Sequence, residues 1–256
     1  YLTLGVTSNP NTNKVFGFAQ GFDDYRDSVA NWKWMTKAAT KATVGDGKAP
    51  HETAVEVNQR VSGLLDVHAE ALTQQPFFLH LVYMEPHTPR YPPKHHLQTL
   101  QAEAMALDPP LKRPKVVRKY DAELRTADEA FGHLLASMAA RNLLDNTLIV
   151  VVSDHGEGLA SNPEYPGSKG HGHYLSEALL RVPLILHHPS LPTELVVPDL
   201  ASTVDLMPTI AGLLGTPIGK LPIDGRSLVP VINAKPSDQP SFTPVYSETE
   251  MGPFNK

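Results

Sequence analysis

The sequence predicts an α/β protein: a doubly wound, mostly parallel sheet with helices on both faces. Three observations lead there. Short apolar runs at 77–83, 147–152 and 182–186 are too hydrophobic for exposed strands and too short for buried helices. Segments at 51–72 and 117–142 repeat apolar residues at three- and four-residue steps, as one-sided helices do. The two signals alternate along the chain, which is the order that crossover helices over a parallel sheet require.

Residues 1–6 form a short β-branched run that meets the turn formers Thr7, Ser8, Asn9, Pro10 and Asn11, giving a strand and then a loop that lasts to Asp23. In 51–72, Val55, Val57, Val61, Leu64, Leu65, Val67 and Leu72 make a packing helix, stopped by Gln74-Gln75-Pro76. Residues 77–83 then read as a central parallel strand. Pro92, Pro93, Pro109, Pro110 and Pro114 remove donors and punctuate any helix, so 91–117 is a surface excursion. Tyr120, Leu124, Ala127, Phe131, Leu134, Leu135 and Met138 share a helix face in 117–142. Residues 147–152 and 182–186 are two further buried strands, the latter with Pro183 near its start, where a missing donor does least harm. A last helix spans 203–214 with Gly215 as its stop, and 215–256 is loop-rich.

The 256 residues carry 22 Lys plus Arg against 27 Asp plus Glu, a formal charge of −5, with no basic stripe. Nucleic acid is therefore not an expected partner. With no cysteine, disulfides, zinc-thiolate clusters and a thiol nucleophile are excluded within these residues. No apolar run approaches the roughly 18 residues of a spanning helix, so no membrane segment is expected. The length suits one large α/β unit or two small domains, and the chain is read as a single domain over 1–256. The chain opens without an initiator Met or charged leader and reads as the middle of something longer; the compartment is not written in it.

In an open parallel sheet, ligands bind beyond the carboxyl ends of the strands. The loop after 77–83 holds Glu85-Pro86-His87-Thr88-Pro89-Arg90, the loop after 147–152 holds Ser153-Asp154-His155-Gly156-Glu157-Gly158, and Gly170-His171-Gly172-His173 precedes the third strand. These bring a carboxylate, several imidazoles and glycines to one sheet edge, the makings of a metal or anion site. Asp154 and His155 are adjacent, and a hard or borderline dication accepts carboxylate oxygen and neutral imidazole together. Alone, Asp-His-Gly equally describes a tight turn whose Asp caps the next helix.

These strings, with Val204-Asp205-Leu206-Met207-Pro208-Thr209 and Asp224-Gly225-Arg226-Ser227, resemble in order and spacing the sulfatase family of the alkaline phosphatase superfamily. The resemblance implies a metal-dependent hydrolase of sulfate esters on an alkaline phosphatase-like fold, with one calcium, magnesium or manganese ion, acting on a small-molecule or glycan ester. It makes Asp154 and His155 metal ligands. His87 would contact the anionic oxygens of the ester, and His171 would steady the anion or protonate the leaving oxygen. The family's paired aspartates at the end of an opening strand and its Cys/Ser-x-Pro-x-Arg nucleophile string are not found here; Asp23-Asp24 follows an aromatic loop instead. The expectation is thus a central fragment, incomplete at both ends, with its nucleophile outside the chain and 215–256 leading toward a further C-terminal subdomain. Such a fragment alone is expected to be inactive. A phosphodiesterase or phosphonate monoester hydrolase of the same superfamily, and a non-catalytic anion- or partner-binding fragment, are the competing readings.

Other residues have blander accounts. The pairs His95-His96 and His187-His188 read as solvated loop histidines, and Lys169 and Arg90 as exposed cations. His173 competes with His171 for the functional role. Glu157 caps a helix or holds a ligand histidine in its tautomer. Asp205 stabilises the first turn of its helix, and Trp32 and Trp34 serve core or lid packing.

Overall fold

The computed structural model describes residues 1–27, 52–107, 109–159, 169–172, 174–220, 222–233 and 244–249. Trp32, Trp34 and His173 lie outside them. The chain divides into two compact units, Tyr1–Asp145 and Asn146–Lys256.

In the first unit, β1 (Leu2–Thr7) is the middle strand of a parallel sheet ordered β2–β1–β3, with β2 at Asp24–Asp27 and β3 at Phe77–Val82. Alternation sends Leu2, Leu4 and Val6 to one face, where they pack with Val57, Val61, Leu64 and Leu65 of α1 (Ala54–Val67) and with Leu134 and Met138 of α4 (Lys115–Ala139). The other face carries aromatic rings. Phe22 stacks on Phe78 at 6.1 Å, and Gly5 is required because a Cβ there would lie 2.3 Å from the Tyr25 ring.

Helix α1 begins at a capping box: Thr53 Oγ1 accepts from Glu56 N, and the Glu56 carboxylate accepts from Thr53 N at 2.7 Å. Its periodic run breaks at His68, and α2 (Ala69–Gln74) completes the segment. His68 instead reaches Asp24, 3.1 Å from its carboxylate.

The strand β2 begins where the expected loop ends and is an element that the sequence reading did not include. Its Asp-Tyr-Arg-Asp sequence has no apolar alternation, and it forms on the sheet edge by pairing with β1. The excursion at 91–117 also holds more structure than its prolines suggest. Pro93 and Pro114 stand at the N-caps of α3 (Lys94–Met105) and α4, where a missing N–H costs nothing. His95 and His96 are therefore helical, and His96 is buried, which corrects the reading of both as solvated loop residues.

In the second unit, β4 (Ile149–Val152) pairs with β7 (Leu184–His187) antiparallel, whereas alternation with helices suggested a parallel neighbour. A parallel return needs a crossover helix, and the described residues between these strands hold only the short α5 (Glu177–Leu180). Two-residue strands β5 (Gly158–Leu159) and β6 (Lys169–Gly170) pair beside the loop that leaves β4. A 3-10 turn at Thr203–Asp205 leads into α6 (Leu206–Leu214), which Gly215 ends at φ 64°, and α7 follows at Val229–Ile232. Asp205 is buried at that helix start as expected. It accepts from Ser202 N at 2.9 Å and from Arg226 N at 2.8 Å, tying the 224–227 string to the helix. No helix among the described residues is long and apolar enough to cross a membrane.

Candidate metal and anion site

Strand β4 ends at Val152, and Ser153 to Gly158 turn away from it. Ser153 Oγ donates to His155 O at 2.7 Å, and His155 N donates to Asp154 Oδ1 at 2.9 Å, so the turn closes on itself. Gly156 N donates to Leu179 O at 2.8 Å, and a Cβ on Gly156 would lie 2.0 Å from Ala178 O. Only glycine permits this approach of the loop to α5. Gly158 faces a similar restriction, with its notional Cβ 2.3 Å from the Tyr174 hydroxyl and 2.7 Å from Gly170 O. The loop carrying Asp154 is thereby set against α5 and the β6 segment that delivers His171.

The two imidazoles meet there, His155 and His171 having ring centroids 4.0 Å apart and planes tilted by 33°. His155 Nδ1 lies 2.7 Å from Gly156 O. A carbonyl only accepts, so the proton sits on Nδ1 and the Nε2 lone pair of the neutral ring is free to bind a cation. Nε2 is 3.8 Å from Asp154 Oδ1. The Asp154 side chain is 77 % exposed, open to a ligand from solvent. His171 Nδ1 stands 3.4 Å from the Glu157 carboxylate, itself only 8 % exposed. Glu157 thus contacts His171 and is not offered to a cation, the orienting alternative of the two weighed for it.

The donor chemistry fits a divalent ion in part. Asp154 and His155 supply one carboxylate and one imidazole whose tautomer is set by a backbone carbonyl, the usual support of a ligating histidine. Two ligands are fewer than the six or more that magnesium or calcium takes. Asp23 and Asp24 are engaged elsewhere in the first unit: Asp23 accepts from Thr3 N and Oγ1 at 2.8 Å, and Asp24 is paired with Arg26 and His68. Although burial pushes the Asp24 carboxyl up, the hydrogen bonds from Arg26 and His68 outweigh it and hold the group below the usual range.

His87 belongs to the first unit, on the loop after β3. That loop is pinned on both sides. Glu85 Oε1 accepts from Ala54 N at 2.8 Å at the start of α1. Arg90 Nε donates to Pro86 O at 2.8 Å, its guanidinium lies 5.1 Å from the Tyr120 ring centroid, and Lys119 donates to Arg90 O. Arg90 is buried and holds the loop to α4, so it is not the exposed cation expected of it. Tyr91 N donates to Glu123 Oε1 at 2.5 Å. Burial, then the nearby Glu85 carboxylate, pushes the Glu123 carboxyl up to about 7. Within this loop His87 N donates to Met84 O at 2.6 Å. The structure therefore gathers Asp154, His155 and His171 and adds Glu157, while His87 stands on its own braced loop. Sequence reasoning missed Glu85 and Glu123, whose signal is weak because a buried carboxylate is written with the same letter as an exposed one.

Comparison with known proteins adds an independent line. A family model named Sulfatase matches residues 2–216. Arylsulfatase K of Rattus norvegicus is 31 % identical over 121 residues, 47 % of this chain and 20 % of that protein. The N-acetylgalactosamine-6-sulfatase of Homo sapiens is 30 % identical over 185 residues, 70 % of this chain and 33 % of that protein. Among solved structures, Ps i-CgsB superposes with a TM-score of 0.62 at 23 % identity, covering 91 % of this chain and 55 % of that one. The phosphonate monoester hydrolase SpPMH from Silicibacter pomeroyi gives 0.58 at 21 %, covering 93 % and 60 %. At these identities the superpositions show a shared α/β fold. The chain spans 20 % and 33 % of the lengths of the two curated relatives.

Proposed function

The chain belongs to the sulfatase family, with the α/β fold of the alkaline phosphatase superfamily, and from that premise we propose that its protein hydrolyses sulfate monoesters. Asp154 and His155 are proposed as ligands of one divalent ion, calcium before magnesium or manganese, and His171 and His87 as the imidazoles that serve the ester. The observation that supports this most is the locked His155 ring, whose Nε2 is left beside the Asp154 carboxylate and against His171.

When bound, the ion supplies Lewis acidity, drawing charge off the sulfate oxygens. Asp154 and His155 would hold it. The nucleophile is proposed to come from outside these 256 residues, because no Cys, Ser or Thr in an x-Pro-x-Arg string occurs in them. Attack on sulfur breaks the S–O ester bond, whose electron pair stays on the departing oxygen. His171, acting with both ring nitrogens protonated, gives that oxygen a proton from Nε2 while its Nδ1–H faces the Glu157 carboxylate. His87 contacts the anionic oxygens, on a loop that Glu85 and Arg90 keep from drifting. Water then frees the sulfate. The substrate class is a small-molecule or glycan sulfate ester.

The test uses the full-length, metal-loaded protein on 4-nitrophenyl sulfate, 4-nitrophenyl phosphate and a phenylphosphonate ester. Sulfate is expected to turn over fastest, with Asp154→Ala lowering kcat/KM by about a thousandfold. Preference for the phosphonate ester would replace the reading with a phosphonate monoester hydrolase. Sulfate binding with no turnover of any ester would replace it with an anion-binding role.

A further inference from the structure

The contact between α3 and α4 is polar. Arg125 Nη1 donates to both carboxylate oxygens of Glu103 at 3.0 Å, Arg118 Nη1 donates to Gln101 Oε1 at 3.2 Å, and His96 Nε2 stands 3.0 Å from Glu129 Oε2. On α4, positions 118, 125 and 129 recur at seven and four residues and share one face. Among the described residues of α3, His96 is the only one buried. A helix crossing normally buries an aliphatic side chain at that place. Here it buries an imidazole, with a second imidazole and a carboxylate around it.

The second imidazole is His95, whose ring centroid lies 4.1 Å from that of His96 at a tilt of 49°. One ligand atom from each of His95, His96 and Glu129 can be chosen so that all three lie within 4.8 Å of one another. A His96–Glu129 ion pair accounts for two of these residues and leaves the apposition of His95 without a role. Zinc bonds of about 2.0–2.1 Å in a tetrahedron place ligand atoms roughly 3.4 Å apart. His95 and Glu129 are both exposed and so can close the remaining gap by side-chain rotation, around a His96 fixed by burial. Two nitrogens and one oxygen suit zinc or a similar transition-metal dication, whereas calcium and magnesium seek an oxygen shell.

We propose that His95, His96 and Glu129 form a transition-metal site, with zinc as its favoured ion and a solvent molecule at the fourth corner, that clamps α3 onto α4. Its ligands are neutral imidazoles and a carboxylate, and none is shared with the Asp154–His155 pair. The site does not depend on the hydrolytic reading, because its binding can be measured with no ester present.

The chain, stripped with EDTA, is titrated with zinc chloride, and bound zinc is counted by mass spectrometry of the metal. The parent is compared with His95→Ala, Glu129→Ala and Asp154→Ala. Expected is one zinc whose affinity falls by tenfold or more in His95→Ala and in Glu129→Ala and is unchanged in Asp154→Ala. Zinc should raise the melting temperature of the parent and not of those first two variants. Cobalt(II) should give the intense visible absorption of a four-coordinate ion in the parent alone of these three. Because both altered side chains are exposed, melting in EDTA should match the parent; should Glu129→Ala melt lower, Glu129→Gln takes its place. Zinc affinity unchanged in both variants overturns the proposal, as does zinc lost only in Asp154→Ala. No zinc bound at about 100 µM leaves His96–Glu129 as an ion pair only and overturns it equally.

Discussion

The two units of the chain fix their important residues by different means. In Tyr1–Asp145, placement comes from apolar packing: Leu4, Val6, Val57, Val61 and Leu64 have no exposed surface, and the loop of His87 is braced by buried polar groups above that core. In Asn146–Lys256, Val152 and Ile185 of the β4–β7 pair are exposed, and Asp154 and His155 are instead placed by backbone closing on backbone at Gly156 and Gly158. A core tolerates small shifts by repacking, at a cost in stability. A glycine contact tolerates no added atom, and its failure moves the site directly. The first unit should therefore answer mutation mainly in unfolding free energy, and the second mainly in turnover.

The largest break in that comparison is expected from Leu64→Ala. Leu64 is fully buried among Leu4, Val61 and Leu134, so truncation removes contacts and leaves a cavity costing about 3–4 kcal/mol. Chemical denaturation should show this loss while kcat/KM of the protein still folded changes little. A large fall in kcat/KM in that folded fraction would erase the distinction. The converse is Gly156→Ala, where the new methyl meets Ala178 O and the loop must move away from α5. Turnover should fall about a hundredfold, equivalent to about 2.7 kcal/mol of transition-state binding, with a smaller change in the denaturation midpoint.

Glu123 sharpens the comparison inside the first unit. Its carboxyl is pushed up to about 7 by burial and then by Glu85, above the ordinary glutamate value of 4.5. The folded state thus holds this proton more tightly than the unfolded state. Stability from this group is full below pH 4.5, falls as pH rises toward 7 and is lost above it. Glu123→Gln keeps an acceptor for Tyr91 N and has no charge to bury. It should flatten the decline between about pH 5 and 8 and leave the chain more stable by about 2 kcal/mol at pH 8. A parallel pH profile in parent and variant would show that Glu123 is ionised without cost.

How much of this was legible in the sequence differs between core and site. The strands β1, β3, β4 and β7 and the helices α1 and α4 announced themselves because apolar burial leaves a periodic trace. The trace fails at β2, which is polar and held by a neighbouring strand, and at α3, which offers one buried side chain and follows two prolines. Sheet direction was misread at β7 because an apolar run carries no sign of which way its partner runs. At the site, Asp154, His155, Glu157 and His171 were visible as chemistry-bearing residues among glycines. Whether Glu157 caps a helix or orients a histidine was left open, since fourteen residues of sequence do not say how a loop returns. Arg90, His96 and Glu123 stayed hidden because burial of a polar side chain is a tertiary fact.

The smallest effect expected is also the most specific to the second unit. Glu157 is nearly buried and stands 3.4 Å from His171 Nδ1, so the role proposed for it is to orient that ring and keep a proton on that nitrogen. Glu157→Gln preserves size and removes the charge, and an amide can turn either its oxygen or its nitrogen toward the ring. About a tenfold loss is expected, in kcat rather than KM, because the orientation matters when the ester oxygen departs. Leaving-group dependence separates this from a general loosening of the loop. An alkyl sulfate, whose departing oxygen needs a proton, should lose more than 4-nitrophenyl sulfate, whose phenolate leaves without one. Equal losses on both esters would place Glu157 in the packing of the loop and take the proton transfer away from His171.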